Sequence, residues 1–236
     1  MYTFESAVRY SEVDFNNKLN IQGVLNYFQD CCTFQSETGG VGMEALHARN
    51  LTWVLANWEI QVKRFPDMCE KIVTGTFPYL FKGCFGMRNF IMKDTDGNTL
   101  AMGDSLWTLI DYEKGTMASL DDELKASYVL EEKLPMEYHK GKIKIPGELK
   151  EFPKVKTLYH NLDGNMHANN GQLVQMGLDI VKATDMDKDY YNLRVEYRKQ
   201  VRFEDELTPY LGKTEDGVVL VFKNQEDFSC TVMEFR

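Results

Sequence analysis

The residues whose types and spacing best suit chemistry are Asp163, Asn165 and His167, directly before a helix-like segment. Side chains two positions apart share a face of an extended backbone, so the three are predicted to converge on one point. A carboxylate, a carboxamide and an imidazole at one point would suit acid–base chemistry. A cluster of polar residues that merely caps the helix is the alternative, and spacing alone does not choose between them.

The reaction that this set suits is acyl transfer to water. His167 could relay a proton because the ordinary pKa of imidazole is about 6.5, and Asn165 could position the water or a carbonyl oxygen. Exposed amides at the start of the next helix would favour negative charge on a tetrahedral intermediate. The ordinary pKa of an aspartate is about 3.9, so Asp163 needs burial to act as a base and otherwise orients its neighbours.

Cysteine and metal chemistry are not favoured by the composition. Cys230, the one cysteine of the second half, lies in a strand-like run and is expected to be packed. The five cysteines are odd in number and show no CxxC spacing, and there are only four histidines. We therefore expect no disulfide framework, no metal and no bound cofactor, with water as the nucleophile. The cysteines are Cys31, Cys32, Cys69, Cys84 and Cys230.

The whole chain has the composition of a soluble protein. Its 236 residues, 43% of them hydrophobic, can form one large domain or two small ones with a packed core. A formal net charge of −9 argues against nucleic acid and anionic membranes as partners. No apolar run resembles a signal peptide or approaches the roughly 18 to 20 residues that span a bilayer. We expect a cytoplasmic protein.

The order of elements in the first half predicts an α+β fold. A helix is predicted over residues 20–36, because apolar residues recur there at spacings of three and four. Strand-like runs precede and follow it, with a short helix between, and residues 94–98 have the composition of a hairpin turn. The predicted strands cover residues 2–10, 53–64, 72–80, 84–93 and 100–111, and the short helix covers 43–47.

The next segment, residues 113–156, is charged and contains three prolines. We interpret it as a connection with some local structure, which places a linker at 126–156 between domains at 1–125 and 157–236. The lysines of this segment form either a solvated surface or a docking patch. They are Lys140, Lys142, Lys144, Lys150, Lys154 and Lys156.

The pattern of the first half then returns. Five residues recur 149 positions later, namely Tyr10, Asp14, Asn16, Asn20 and Asp30, which match Tyr159, Asp163, Asn165, Asn169 and Asp179. A second register, 135 positions apart, matches Asn57, Ile60 and Ile72 to Asn192, Val195 and Leu207. A helix is predicted over 171–183 and strands over 190–201, 207–212, 218–223 and 228–235, with a hairpin turn at 214–217. Two copies of one helix-plus-sheet plan are the simplest explanation.

The two copies differ where chemistry would matter. Lys18 stands at the position of His167, and Phe15 at that of Gly164. Lysine only donates hydrogen bonds at neutral pH, whereas neutral imidazole both donates and accepts. A site that transfers protons would therefore persist in the second half only.

Together these motifs resemble the acyl-ACP thioesterase family, in its bacterial branch related to the plant enzymes. In the first half the resemblance rests on VRYSEVD at 8–14, LNYFQD at 25–30 and WVL at 53–55. In the second half it rests on DxNxHxNN at 163–170 and VEYRK at 195–199.

The resemblance implies a tandem double hotdog, in which a long helix of each half is wrapped by an antiparallel sheet. It implies hydrolysis of fatty acyl-ACP thioesters to free fatty acid and holo-ACP, a step of fatty acid biosynthesis, with Asp163, Asn165 and His167 catalytic. The first-half core would help to hold the acyl chain. The phosphopantetheine arm would arrive with acyl carrier protein, the implied partner, whose acidity favours docking on a lysine cluster.

One position departs from the family pattern. The plant enzymes follow EYR with a Glu-Cys pair, where this chain has Gln200 and Val201. Gln200 can hold a water or a carbonyl group but cannot act as a base. It is predicted to share a strand face with Glu196 and Arg198, so structural hydrogen bonding is its alternative role.

Four functions remain open from the sequence. Besides the acyl-ACP thioesterase, the same fold would suit an acyl-CoA thioesterase, an acyl-thioester hydratase or dehydratase, and a non-catalytic acyl-carrier-binding module. The fused pair is compatible with a monomer or a homodimer.

Overall fold

The computed structural model describes residues 1–236, which divide into two compact units, Met1–Tyr138 and His139–Arg236. The boundary falls inside the predicted linker at 126–156, so residues 126–138 fold with the first unit and residues 139–156 with the second. No helix is both long enough and apolar enough to cross a bilayer.

Unit 1 is a long helix on an antiparallel sheet whose strand order is β1-β3-β4-β5-β2, with β6 paired to β5. Its elements, in chain order, are β1 (Tyr2–Ala7), α1 (Ile21–Thr38), α2 (Met43–His47), β2 (Leu51–Val62), β3 (Lys71–Lys82), β4 (Phe85–Asp94), β5 (Thr99–Asp111), β6 (Thr116–Met117) and α3 (Asp122–Ala126).

The core of unit 1 lies between α1 and the sheet. Phe28 of α1 packs its ring against Trp58 and Phe90, with centroids 6.3 and 5.2 Å away, and all three are at most 1% exposed. Gly103 of β5 lets the helix come this close, because a Cβ there would lie 2.9 Å from the Phe28 ring. Asn20 caps the helix start by accepting from the Gly23 N–H, and Gly39 caps its end.

Unit 2 repeats the plan with a sheet of order β9-β12-β11-β10-β7, all antiparallel, and β8 also paired to β10. Its elements are β7 (Lys150–Glu151), β8 (Val155–Lys156), α4 (Asn170–Thr184), β9 (Asn192–Tyr197), β10 (Glu206–Lys213), β11 (Val218–Lys223) and β12 (Ser229–Phe235). Here Gly177 of α4 faces Met233, whose Sδ would lie 2.7 Å from an added Cβ. The α+β prediction and the hotdog plan of each half are confirmed.

The segment that leads into unit 2 is part of its sheet packing. Ile143 is buried in a cluster with Val219, Val221 and Val232, and its N–H donates to Glu196 Oε1 at 2.5 Å. Lys154 and Lys156 pair with Glu206 and Glu204, whereas Lys140, Lys142 and Lys144 are exposed and form no ion pair.

Two predicted strands end at least three residues earlier than expected. β1 stops at Ala7 because a 3-10 turn, Tyr10–Glu12, follows it. β9 stops at Tyr197, not at Val201, because the N–H groups of Arg198 and Lys199 both donate to the Cys230 carbonyl, at 2.8 and 3.2 Å. Two donors on one acceptor interrupt the ladder, as in a β-bulge.

Candidate active site

A tight turn, and not an extended strand, brings Asp163 and His167 together. The Asp163 N–H donates to the His167 carbonyl at 2.8 Å, and Met166 sits in the left-handed region at φ 61°. Asp163 Oδ1 accepts the N–H groups of Asn165 (2.8 Å) and His167 (3.1 Å). The alternation that suggested a shared strand face is therefore an Asx turn, closed by the aspartate side chain. Asn165 lies at its exposed end.

The first half contains the same turn, 149 positions earlier. Asp14 donates from its N–H to the Lys18 carbonyl at 2.9 Å, and its Oδ1 accepts from Asn16 and Lys18 at 2.9 and 3.2 Å. Asn17, the counterpart of Met166, has φ 59°. The two turns have the same hydrogen bonds, and each has a left-handed residue at the same position. This agreement confirms the predicted repeat.

A second turn lies beside each of these and repeats at the 135-residue register. Lys18 forms a bridge with Asp67, and His167 forms one with Arg202. The partner turns contain Cys69 at φ 67° and Glu204 at φ 66°. The scaffold around His167 is thus duplicated in its backbone, so the chemical difference lies in side chains.

The side chains of the two copies differ in whether they have a bonding partner. Lys18 Nζ pairs with Asp67 Oδ1 at 3.0 Å, an exposed ion pair of small energetic value. The His167 imidazole makes no hydrogen bond with the chain, nor do the side chains of Asn165 and Arg202. The second turn therefore presents unengaged polar groups, and the first presents a paired lysine.

Helix α4 begins directly after the turn, with two of its first amides unsatisfied. Asn169 caps the helix through Oδ1, which accepts the Gly171 N–H at 2.8 Å. The N–H groups of Asn170 and Gln172 have no acceptor in the chain, as expected in the first turn of a helix. Tyr197 donates its hydroxyl to the Asn170 carbonyl at 3.0 Å, and burial raises the pKa of Tyr197 and keeps it a donor. These amides can stabilise negative charge next to the turn.

The prediction for Gln200 is wrong in its placement. Gln200 is exposed and lies three residues beyond the end of β9, so it shares no strand face with Glu196. Arg198 instead binds Glu196 Oε2 through Nε (2.9 Å) and Nη2 (2.5 Å), and Glu196 Oε1 holds the Ile143 amide. Glu196 and Arg198 of the EYR motif are thus engaged with each other and with the segment that leads into unit 2.

Cys230 is 2% exposed in β12, and burial raises the pKa of its thiol. A buried, protonated thiol is a poor nucleophile. No three histidine, cysteine, aspartate or glutamate residues lie together in an arrangement suited to a metal ion.

Sequence reasoning missed two residues that position this turn, Thr157 and Asn161. Thr157 donates its hydroxyl to the Arg202 and Asp205 carbonyls, at 2.5 and 3.1 Å, and so holds the neighbouring turn. Asn161 contacts the turn on both sides and also binds Gln172. Comparison of the two copies could have revealed Asn161, because Glu12 occupies the matching position of the first copy and the copies therefore differ there.

Residues 1–128 match the family model described as the acyl-ACP thioesterase N-terminal domain. The chain belongs to the acyl-ACP thioesterase family. It is 22% identical over 222 residues to the chloroplastic acyl-[acyl-carrier-protein] hydrolase FATB2 of Cuphea viscosissima, and 20% identical to a chloroplastic palmitoyl-acyl carrier protein thioesterase of Cuphea hookeriana. Each alignment covers 85% of the chain and 52% of the relative, so the chain spans about half the length of these relatives.

Solved structures of family members share the fold. An acyl-ACP thioesterase from Bacteroides thetaiotaomicron superposes with a TM-score of 0.90 at 23% identity, covering 99% of this chain and 96% of that one. The 12:0-ACP thioesterase of Umbellularia californica gives 0.85 at 16% identity, covering 100% and 96%. At these identities the likeness establishes the hotdog fold.

Proposed function

We propose that this member of the acyl-ACP thioesterase family hydrolyses the thioester between an acyl group and the phosphopantetheine arm of acyl carrier protein. The observation that carries the proposal is the turn Asp163–His167, which presents an unengaged imidazole three residues before Asn170, where the unsatisfied amides of a helix start begin. The family relatives are named as hydrolases or thioesterases of acyl-carrier-protein substrates, which supports the choice of substrate.

In the proposed reaction water is the nucleophile. His167 takes a proton from the water as its oxygen attacks the thioester carbonyl carbon. The Asn170 and Gln172 amides of α4 stabilise the resulting oxyanion, a contact worth roughly 3 to 4 kcal/mol. The C–S bond then breaks, and His167 returns the proton to the sulfur, which leaves as a thiol, while the acyl group leaves as the fatty acid. General acid–base catalysis of this kind raises the rate by roughly 10²- to 10⁴-fold.

The other site residues have supporting roles in this scheme. Oδ1 of Asp163 is engaged by two backbone amides, so Asp163 holds the backbone under His167 as an orienting group. Asn165, whose side chain has no partner in the chain, holds the water or the carbonyl oxygen. Gln200 is assigned no proton transfer, because a carboxamide does not accept a proton at neutral pH.

The first unit supplies binding in this scheme. We propose that its core helps to hold the acyl chain, and that carrier protein docks near the unpaired lysines Lys140, Lys142 and Lys144. Since water is the nucleophile, the reaction needs no resident cofactor. The protein acts in the cytoplasm in this proposal.

The deciding experiment is release of free thiol and fatty acid from acyl-ACP and acyl-CoA panels of matched chain length. We expect turnover of acyl-ACP, with acyl-CoA poorer in kcat/KM. No turnover of any acyl-ACP would contradict the proposal, and equal turnover of acyl-CoA would contradict the carrier preference. Formation of a hydrated or dehydrated acyl product, with the thioester intact, would point to the hydratase or dehydratase alternative.

A further inference from the structure

A pair of carboxamides, one buried and one half-buried, joins the candidate turn to the helix that follows it. Asn161 is 5% exposed and lies under the turn. Its Oδ1 accepts the Leu158 N–H at 2.9 Å, and its carbonyl oxygen accepts the Asn169 N–H at 2.7 Å. Its Nδ2 donates to Gln172 Oε1 at 3.2 Å. Asn161 thus ties the segment before the turn and the first turn of α4 through its side chain, and the helix cap through its backbone carbonyl.

The first unit lacks this link. Glu12 occupies the position of Asn161, and Gly23 that of Gln172, so there is no side chain to reach in the first turn of α1. Glu12 Oε2 instead accepts from the Arg9 N–H at 2.9 Å and from the Tyr27 hydroxyl at 2.7 Å, one helical turn further along. The copy with the paired lysine is held to the middle of its helix. The copy with the histidine is held to the helix start, where the unsatisfied amides are.

We propose that Asn161 and Gln172 are a positioning pair, which fixes the first turn of α4 relative to His167. This inference rests on the proposed function. Neither side chain needs to touch the reacting atoms. An oxyanion donor must lie about 2.7 to 3.1 Å from the developing charge, and a misplacement of about 1 Å can lower the rate on the order of 100-fold. A link between the turn and the helix start controls this distance.

The test separates positioning from simple structural support. Asn161→Ala removes both side-chain bonds and keeps the carbonyl bond to the Asn169 N–H, whereas Gln172→Met removes only the bond to the helix and leaves the other two Asn161 bonds in place. We expect a fall in single-turnover kcat of about tenfold or more in each variant, with KM within about twofold, because the lost geometry acts on the transition state. Glu12→Ala in the first unit is the matched control, which removes the corresponding contacts and should leave kcat unchanged.

A charge-pair replacement provides the rescue. Asn161→Asp alone replaces the Nδ2 donor by a buried carboxylate that has no cationic partner, and it should lower kcat. Adding Gln172→Lys supplies a donor and should restore most of it. If the double variant is no better than Asn161→Asp, or if Gln172→Met lowers only the melting temperature and leaves kcat unchanged, the positioning role is wrong.

A readout that needs no turnover keeps the two proposals distinguishable. The ring resonances of His167 in ¹⁵N-histidine-labelled protein report the surroundings of the imidazole. We expect them to shift or broaden in Gln172→Met, to recover in the Asn161→Asp/Gln172→Lys variant and to stay unchanged in Glu12→Ala. A wild-type protein without thioesterase activity would sink the proposed function alone. Unchanged His167 resonances in Gln172→Met would sink the positioning role alone.

Discussion

The turns Asp14–Lys18 and Asp163–His167 have the same backbone and different chemistry. Both are closed by an aspartate oxygen that accepts two amides, and both contain a left-handed residue near φ 60°. In the first, Lys18 is engaged by Asp67, whereas in the second the imidazole of His167 is left unengaged. The backbone of this turn therefore forms with either lysine or histidine at its last position.

The interiors of the two units differ in a complementary way. Phe28 of α1 packs over Gly103 in unit 1, while Gly177 of α4 packs under Met233 in unit 2. Phe28 and Gly177 are 149 positions apart, and Gly103 and Met233 pair with Ile60 and Val195, which are 135 apart. The large residue is on the helix in one unit and on the sheet in the other. The two units thus fill the space between helix and sheet from opposite sides.

The largest difference in activity should come from truncating the residues that distinguish the two turns, His167 and Lys18. His167→Ala should lower single-turnover kcat by about 10²- to 10⁴-fold, because it removes the proton relay. Lys18→Ala, the matched change, should leave the chemical step intact. The measurement is the acyl-ACP hydrolysis rate at saturating enzyme. A larger loss in Lys18→Ala would place the chemistry in the first half and overturn the assignment.

The next largest effect should come from changing the helix residues that pack on the two sheets, Phe28 and Gly177. Phe28→Ala should lower the free energy of unfolding by about 3 to 5 kcal/mol, because it empties a site buried among aromatic rings. Gly177→Ala should also destabilise, since its Cβ would meet Met233 Sδ at 2.7 Å, but Met233 is flexible and the cost should be smaller, about 1 to 3 kcal/mol. Urea denaturation followed by circular dichroism checks both. Equal costs would show that the two helix–sheet contacts are not packed in the complementary way described.

The repeat and both long helices could be predicted from the sequence, because helical spacing and recurring residues are local signals. The turn could not. Asp163, Asn165 and His167 alternate as they would in a strand, and only the left-handed Met166 and the bonds to Asp163 Oδ1 turn the chain back. The early end of β9 was equally hidden, since it depends on two amides that share the Cys230 carbonyl.

The candidate site was found by residue type and by comparison with its repeat. Its support was missed because the support depends on contacts between segments. Asn161 reads in the sequence as one more polar residue before the motif, and its importance comes from bonds to Leu158, Asn169 and Gln172. Residues 139–156 read as a linker because of their charge and prolines, whereas buried Ile143 fixes them to unit 2.

The two units also differ in a cross-strand pair of charged residues, and this difference predicts a different dependence of stability on pH. Glu59 lies opposite Asp104 in unit 1, and at the equivalent place in unit 2 Arg194 pairs with Glu234 at 3.3 Å. The pKa of Asp104 is raised from 3.8 to about 7, chiefly by burial and also by the charge of Glu59, while hydrogen bonding to Tyr79 and the charge of Lys133 oppose the shift. The folded state therefore binds more protons than the unfolded state between about pH 4 and pH 7.

The sign of the resulting effect follows from this proton uptake. The contribution of Asp104 to stability is present at low pH and is lost as the pH rises through about 7. Asp104→Asn, which stays neutral, should be more stabilising at pH 8 than at pH 5, by on the order of 1 to 2 kcal/mol. Glu234→Gln, which breaks the ion pair, should destabilise at both values. Chemical denaturation at the two pH values checks this, and an Asp104→Asn effect that is the same at both would show that Asp104 does not titrate in this range.

The smallest effects should come from the aspartates that close the two turns. Asp14→Ala and Asp163→Ala each remove an acceptor of two backbone amides and should cost about 1 kcal/mol of unfolding free energy. The asparagine variants keep an acceptor oxygen, so Asp14→Asn and Asp163→Asn should recover most of that stability. Because Asp163 acts here by orienting the turn, Asp163→Asn should also retain kcat within about tenfold of the wild type, less than one step of general base catalysis. Stability from thermal melts and single-turnover rates on the same four proteins decide the matter: a loss of kcat in Asp163→Asn as deep as in His167→Ala, with the melting temperature preserved, would make Asp163 the base.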